Sequence, residues 1–495
     1  MNKSEFDSLA EQNYTHVPIS RKIFADFDTP LSVYLKLANK PYSYLLESAA
    51  QGGERWSRYS IIGLPVETVL QVDGNRLTVE KNGEIVQDIT CDDPLGEIKK
   101  YQSQFKIPKN EALGRFYGGL VGYFGYDTVR LIEERLKHTC PPDSVYTPDI
   151  LLMESKNIAV FDNVEGSLQL VVLANLNNPN AWEDAQTQLD SLERQLKIPL
   201  SDIPSSPVGK AISEDAFVSS YGREKYMHDV EIIRDYIHAG DVMQVVLAQR
   251  LSIDFAIPPI QLYRSLRSLN PSPYMYFMNL RDFHVVGSSP EILARVEDGT
   301  VINRPLAGTR RRGHTPIEDA ALEMELQEDP KEIAEHLMLI DLGRNDVGRV
   351  STIGSVQVTE MFAVEKYAHV MHLASNVEGK LQADKSAIDV LKATLPVGTL
   401  SGSPKIRAME IIDELEPVKR GVYGGAIGYL GWNGNMDMAI AIRTAVIKDN
   451  QLFIETGAGI VADSVSELEW KECINKGRSI FQAAQLANRD LVLHG

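Results

Sequence analysis

Cysteine is scarce in this chain: Cys91, Cys140 and Cys473 are the three among 495 residues. They are scattered and odd in number, so they build neither a disulfide framework nor a Cys-x-x-Cys metal site. That usage fits a reducing cytoplasm. Positive charge is also short, with 50 Lys and Arg against 68 Asp and Glu, a net charge of −18. So acidic a chain lacks the basic footprint needed by a nucleic-acid or membrane-surface binder. An anionic substrate would need a local cluster of positive groups. No apolar run is long enough to span a bilayer, and the first seven residues lack the apolar core of a secretion signal. Internal repeats and low-complexity stretches are missing too. What remains is ordinary for a globular protein, 43% hydrophobic and 24% charged, and predicts a cytoplasmic protein with one large core or a few domains.

Short runs at 43–47, 66–72, 76–80, 150–153, 158–161 and 168–173 alternate apolar and polar residues. Turn chemistry at Asp73-Gly74-Asn75 and Asn82-Gly83 separates several of them, which predicts hairpins. Residues 182–196 have helical periodicity. A Pro- and Ser-rich stretch at 199–209 has no apolar period and suits a linker. The expected organisation is an N-terminal region 1–198, a linker 199–218 and a second region 219–495, the two sharing one sandwich. Beyond the linker the pattern predicts strands at 242–253, 274–279, 283–288, 424–429, 436–447 and 452–455. Helices are expected at 219–238, 316–326, 331–341, 386–394, 404–415 and 466–487. Strands come in runs and helices in runs, so the fold class is α+β, with antiparallel sheets packed on each other as an orthogonal sandwich and helices outside.

Two Glu-x-x-Glu pairs, Glu332/Glu335 and Glu469/Glu472, stand out. Residues three apart on a helix share a face, and two such faces together would suit a hard divalent cation. Most acidic pairs are solvated helix faces. Here an apolar stretch follows Glu335 directly, and a glycine turn, Gly457-Ala458-Gly459, precedes the second pair. Ser466 and Glu469 have capping-box spacing, so Glu469 has a structural explanation that Glu472 lacks. A glycine turn at a helix start favours anions, so a carboxylate substrate could bridge both features.

Other motifs are weaker alone. Gly457-x-Gly459-x-x-Ala462 imitates a dinucleotide fingerprint but comes too late in the chain. The run 398–405 lacks the Gly-Lys-Ser/Thr ending of a phosphate loop and reads as a small-residue anion turn. Residues 304–313 concentrate positive charge, as a solvated loop or a site. Arg443, inside a predicted strand, needs an ion pair or a substrate carboxylate. His372 is a core histidine or a general base.

Taken together, residues 335–346, 305–310, 398–405, 423–429 and 457–476 resemble the chorismate-utilising enzymes, in the same order along the chain. The similarity is strongest to the branch that takes ammonia and forms anthranilate. Relatives that activate water carry a lysine where this chain has Gln244, and those that form a covalent adduct carry one where it has Ala307. The resemblance implies Mg²⁺ on Glu335 and Glu472, with Glu332 and Glu469 behind them. It implies Glu291 as general acid, His372 as base and Thr399 as their assistant. Substrate would be bound by Gly308, Thr309, Tyr423, Arg443, Gly457, Ala458, Gly459, Gln244 and Lys476. It also implies feedback inhibition by tryptophan at Glu47, Ser48, Pro273, Tyr274 and Met275, next to the segment 54–60. A partner glutamine amidotransferase subunit would supply the ammonia, since none of the three cysteines lies in a glycine-flanked nucleophile turn. An aminodeoxychorismate-forming enzyme and a non-catalytic aromatic amino-acid sensor remain the alternatives.

Overall fold

Two antiparallel twelve-stranded sheets form the molecule. The computed structural model describes residues 1–49, 58–200, 212–367 and 370–488. Residues 54–57, most of the expected linker and His369 lie outside the described residues.

In the first sheet, strands His16–Phe24, Ser167–Asn175, Asn157–Asp162, Tyr59–Gly63 and Ser43–Glu47 lead into Tyr274–Asn279, Phe283–Ser289, Thr444–Lys448, Gln451–Ile460 and Gln244–Asp254. The second runs from Leu306–Arg311 through Val370–Lys380, Thr300–Asn303, Ile292–Glu297, Met436–Ile440 and Ala426–Gly431. It continues into Gly119–Phe124, Ile150–Ser155, Thr68–Asp73, Arg76–Lys81 and Glu84–Thr90. Each sheet therefore joins strands from both sides of residue 200.

Buried side chains from the two sheets, among them Tyr44, Tyr123, Met153, Tyr276 and Ile427, make the core between them. The Tyr44 and Ser155 hydroxyls meet at 2.7 Å and tie one sheet to the other. Helices Pro30–Leu37, Ala181–Leu196, Pro259–Leu269 and Ser466–Ala487 cover the outer face of the first sheet. Pro94–Gln102, Pro330–Gly348 and Ala387–Thr394 cover the second. This is the α+β class that the runs of strands and helices imply. The turn signals also hold: Asp73 pairs with Arg76 and Lys81 with Glu84 across two-residue turns. Asn82 and Gly83 both take positive φ there, as such turns require.

Three local expectations change. The predicted strand 436–447 is two strands, Met436–Ile440 in the second sheet and Thr444–Lys448 in the first. Its sequence is apolar apart from Asp437, Arg443 and Thr444, but the chain crosses between layers at 441–443. The predicted glycine turn is not a turn: Gly457, Ala458 and Gly459 continue the strand Gln451–Ile460 and pair with Gln244–Asp254. The expected cap at Ser466 is not formed, because Val465 occupies the cap position and makes no side-chain hydrogen bond. Among the described residues, no helix is long and apolar enough to cross a membrane.

Candidate active site

The chain crosses from the first sheet to the second at Pro290 and Glu291, and back again at 441–443. The two crossings are stitched together. Ile440 N–H donates to the Glu291 carbonyl (3.0 Å), and Ser288 N–H to the Arg443 carbonyl (3.1 Å). The Ser289 hydroxyl donates to the Ile440 carbonyl at 2.6 Å. Arg443 pivots in the left-handed region, with φ +49°. So Glu291 and Arg443, 152 positions apart in sequence, are brought to one seam by their backbones.

Burial pushes the Glu291 carboxyl up to about 8, against the opposing pull of Thr399, Arg443 and Lys476. A carboxyl in this state keeps its proton at neutral pH and can donate it. Among the described residues the buried Thr399 hydroxyl has no hydrogen-bond partner at ordinary geometry, yet it lies near enough to Glu291 to favour its ionised form. Thr399 sits on a one-turn helix, Gly398–Ser401, followed by a two-residue strand. The expected small-residue anion turn at 398–405 is thus regular structure, and its Lys405 pairs with Asp346 at 2.7 Å. Burial lowers the Arg443 pKa, with Tyr367 and Glu291 acting the other way. Its guanidinium makes no ion pair among the described residues, and an uncompensated buried cation is a costly arrangement that an anion would relieve.

His372 lies opposite Thr309 in the ladder between Leu306–Arg311 and Val370–Lys380, and that ladder bulges at Gly308. With φ +65°, the bulge turns the Gly308 carbonyl onto His372 Nδ1 at 2.9 Å; Thr309 Oγ1 is 3.1 Å away. A carbonyl only accepts, so Nδ1 must carry the proton. Nε2 is then left with its lone pair. Burial holds the His372 pKa below 6.5, so the ring is a neutral base at physiological pH.

Helix Pro330–Gly348 presents Glu332 and Glu335, and helix Ser466–Ala487 presents Glu469 and Glu472. Burial, Glu332 and Glu472 raise the Glu335 pKa; burial and Glu472 likewise raise Glu469. The two faces therefore lie within electrostatic reach of each other. Glu332 is held by Arg310 at 2.9 Å and Glu472 by Lys476 at 2.8 Å, while Glu335 makes no ion pair among the described residues. No ready cage of three ligating side chains forms among those residues. Mg²⁺ does not need one, since it binds through one or two carboxylates and completes its octahedron with water and substrate oxygens. Crowded carboxylates, among which Glu335 has no ion pair with a described residue, fit such an ion. The basic run at 304–313 is charge-paired along its length: Arg310 also pairs with Glu325 and Asp329, Arg311 with Glu318 and Arg312 with Asp319.

Strand Gln451–Ile460 closes the site. The Gly457 carbonyl accepts from Lys476 Nζ at 2.9 Å, so Gly457 and, two residues on, Gly459 face away from the neighbouring strand. A Cβ at Gly459 would lie 2.4 Å from Gln244 Nε2, and one at Gly457 would lie 3.1 Å from the Tyr423 hydroxyl. These side chains approach the backbone as closely as only glycine permits.

The family model for chorismate binding enzymes matches residues 82–482. Anthranilate synthase component 1 of Pseudomonas aeruginosa is 57% identical over 99% of this chain and 100% of its own length. The protein of the same name from Neisseria meningitidis serogroup B is 52% identical over 99% of both chains. The chain belongs to this family.

The crystal structure of the family member anthranilate synthase component I from Streptococcus pneumoniae superposes with a TM-score of 0.77, at 38% identity, covering 93% of this chain and 99% of that one. The menaquinone-specific isochorismate synthase of Escherichia coli shares the fold, with a TM-score of 0.69 at 18% identity, covering 97% of this chain and 98% of that one. In the present family member a second cavity of about 520 Å³ opens away from the seam. Glu47, Ser48, Pro273, Tyr274 and Met275 all line it, with Arg295 and Asp437. The Tyr274 hydroxyl donates to Asp437 at 2.9 Å and accepts from Arg295 at 3.0 Å. The Glu47 carboxylate is already engaged by Arg267 at 2.9 Å and by the Tyr263 hydroxyl. The sequence gives no sign of Arg295, Asp437 or Tyr367, because each gains its role from a partner on a distant element.

Proposed function

We propose that this lyase is the aminase subunit of an anthranilate synthase, converting chorismate and ammonia to anthranilate, pyruvate and water. The observation that carries this reading is the opposed protonation of Glu291 and His372. One is a buried acid that holds its proton at pH 7, the other an imidazole whose Nε2 is free to take one. The reaction needs both: a proton given to the departing ring hydroxyl, and a proton removed from the ring carbon.

Arg443 and the Gly457–Gly459 edge would hold the substrate's carboxylates, with Tyr423, Thr309 and Gln244 around the ring. A divalent cation held by Glu335 and Glu472 would supply the charge that fixes the ring carboxylate and draws electron density from the ring. Ammonia adds to the ring carbon next to the carboxylate-bearing one. Glu291, helped by Thr399, protonates the hydroxyl that leaves as water. His372 Nε2 then takes the proton from the aminated carbon as the enolpyruvyl C–O bond breaks and the ring becomes aromatic. Gln244 cannot deprotonate water, and Ala307 cannot form a covalent adduct, so ammonia, already a nucleophile, is the reactant served.

Ammonia would come from a glutamine amidotransferase partner in the cytoplasm. The second cavity, polar at Tyr274, Arg295 and Asp437 and apolar along Pro273 and Met275, supports tryptophan as a feedback inhibitor. The test is anthranilate fluorescence from chorismate, ammonium and Mg²⁺. A hydroxylated product, or no product with a folded enzyme, would overturn the assignment.

A further inference from the structure

The structure assigns a positioning role to Tyr367, whose ring edge flanks the His372 imidazole while its hydroxyl is tethered to Glu365. The inference rests on the proposed role of His372 as the base.

The Tyr367 and His372 rings lie 5.6 Å apart at 64°, an edge-on contact, the geometry that aromatic quadrupoles prefer. Gly308 holds the imidazole through Nδ1, a single point about which the ring could still tilt. Tyr367 supplies a second. Its own place is fixed three times over. The hydroxyl donates to Glu365 Oε2 at 2.6 Å. The backbone N–H donates to the Val370 carbonyl at 2.8 Å, and the Tyr367 carbonyl accepts from Arg312 at 2.8 Å. Glu365 stands directly opposite His372 in the ladder. Its other oxygen is gripped by Arg304 at 3.0 Å, and Arg304 also pairs with Glu360 at 2.8 Å. A rigid chain, Arg304–Glu365–Tyr367, thus ends on the catalytic imidazole. The Tyr367 hydroxyl also lies within electrostatic range of Arg443 and Glu291, so the residue stands at the seam as well. Tyr367 makes no hydrogen bond to His372, Glu291 or Arg443. It holds the base at the angle that proton removal needs and keeps water off it.

Three variants test this with Mg²⁺, chorismate and ammonium. Tyr367→Phe keeps the ring and loses the tether; kcat should fall by up to about 10-fold, the worth of one hydrogen bond. Tyr367→Ala should lower kcat on the order of 100-fold, as loss of alignment does. KM should stay within about 2-fold in both, since binding energy is untouched when only the transition state is misaligned. His372→Ala serves as the reference. The second readout is acylation of His372 by diethyl pyrocarbonate, followed by peptide mass spectrometry. Tyr367→Ala should speed it several-fold and Tyr367→Phe should not. Wild-type kcat in both Tyr367 variants, or unchanged acylation in Tyr367→Ala, would overturn the role. Full activity in His372→Ala would instead overturn the base assignment beneath it. If Tyr367→Ala does not fold, Tyr367→Leu takes its place, and Tyr367→Phe still decides the tether.

Discussion

Gly308 and His372 are joined by a carbonyl-to-imidazole hydrogen bond of 2.9 Å that exists because one residue bulges out of a ladder. The bulge needs φ +65°, and a Cβ there would lie 3.0 Å from Leu326 and 3.2 Å from the Glu332 carboxylate. Gly308→Ala should therefore strain the backbone by about 1 kcal/mol and release the imidazole. We expect kcat to fall on the order of 100-fold with a Tm lower by only a few degrees. An Ala variant with normal kcat would show that the carbonyl does not set the tautomer.

The pH profile of kcat/KM should be a bell. Its acid limb lies below 6.5, where His372 takes a proton, and its alkaline limb near 8, where Glu291 loses one. Glu291→Gln should abolish the activity and change stability in a pH-dependent way. The folded carboxyl is raised from 4.5 to about 8, so the unfolded chain ionises first. Wild-type stability is therefore whole below pH 4.5 and is lost progressively up to about 8. The Tm gap between Glu291→Gln and wild type should widen over that window and level off above it. A gap independent of pH would mean that Glu291 is ionised at neutrality.

Glu335→Gln and Glu472→Gln should each raise the Mg²⁺ concentration for half-maximal activity by at least about 10-fold. Glu332→Gln should do less, because the largely buried Arg310 (19% exposed) holds that carboxylate in place, whereas the Lys476 partner of Glu472 is 49% exposed and can swing away from an arriving cation. Binding of Mn²⁺ followed by paramagnetic resonance, without substrate, is an independent check. Equal effects from all three would place Glu332 on the metal.

Ser48→Phe should fill part of the 520 Å³ cavity and abolish tryptophan inhibition while leaving kcat within about 2-fold, since the cavity and the seam share no lining residue. Retained inhibition in a folded Ser48→Phe enzyme would move the effector elsewhere.

Gln244→Lys should yield some water-derived, hydroxylated product, because its amine would sit over the Gly459 edge where Gln244 Nε2 now lies. Chromatography of the products decides. Purely aminated product at the wild-type rate would mean that position 244 does not choose the nucleophile.

Much of the fold is legible in the residue pattern. Tyr274–Asn279 and Ser466–Ala487 are bounded as their periodicities predict. The two tight hairpins follow from Asp73-Gly74-Asn75 and Asn82-Gly83. Less legible are Leu306–Arg311 and Val370–Lys380, which carry Gly308 and His372. The first is dense in arginine and looks like a loop; carboxylates from helix Pro316–Glu328 and its surroundings neutralise it into a strand.

Taken alone, the sequence determined the α+β class, the acidity, and the two same-face glutamate pairs, because alternation, turn chemistry and helical spacing act over a few residues. It could not decide where the layers exchange strands. A largely apolar run such as 436–447 reads as one strand whether or not it changes sheets, and pairing with partners some 150 residues away divides it. That exchange brings Glu291 to Arg443 and buries them both. Burial, a property of the assembled fold, then keeps the proton on the acid and off the base.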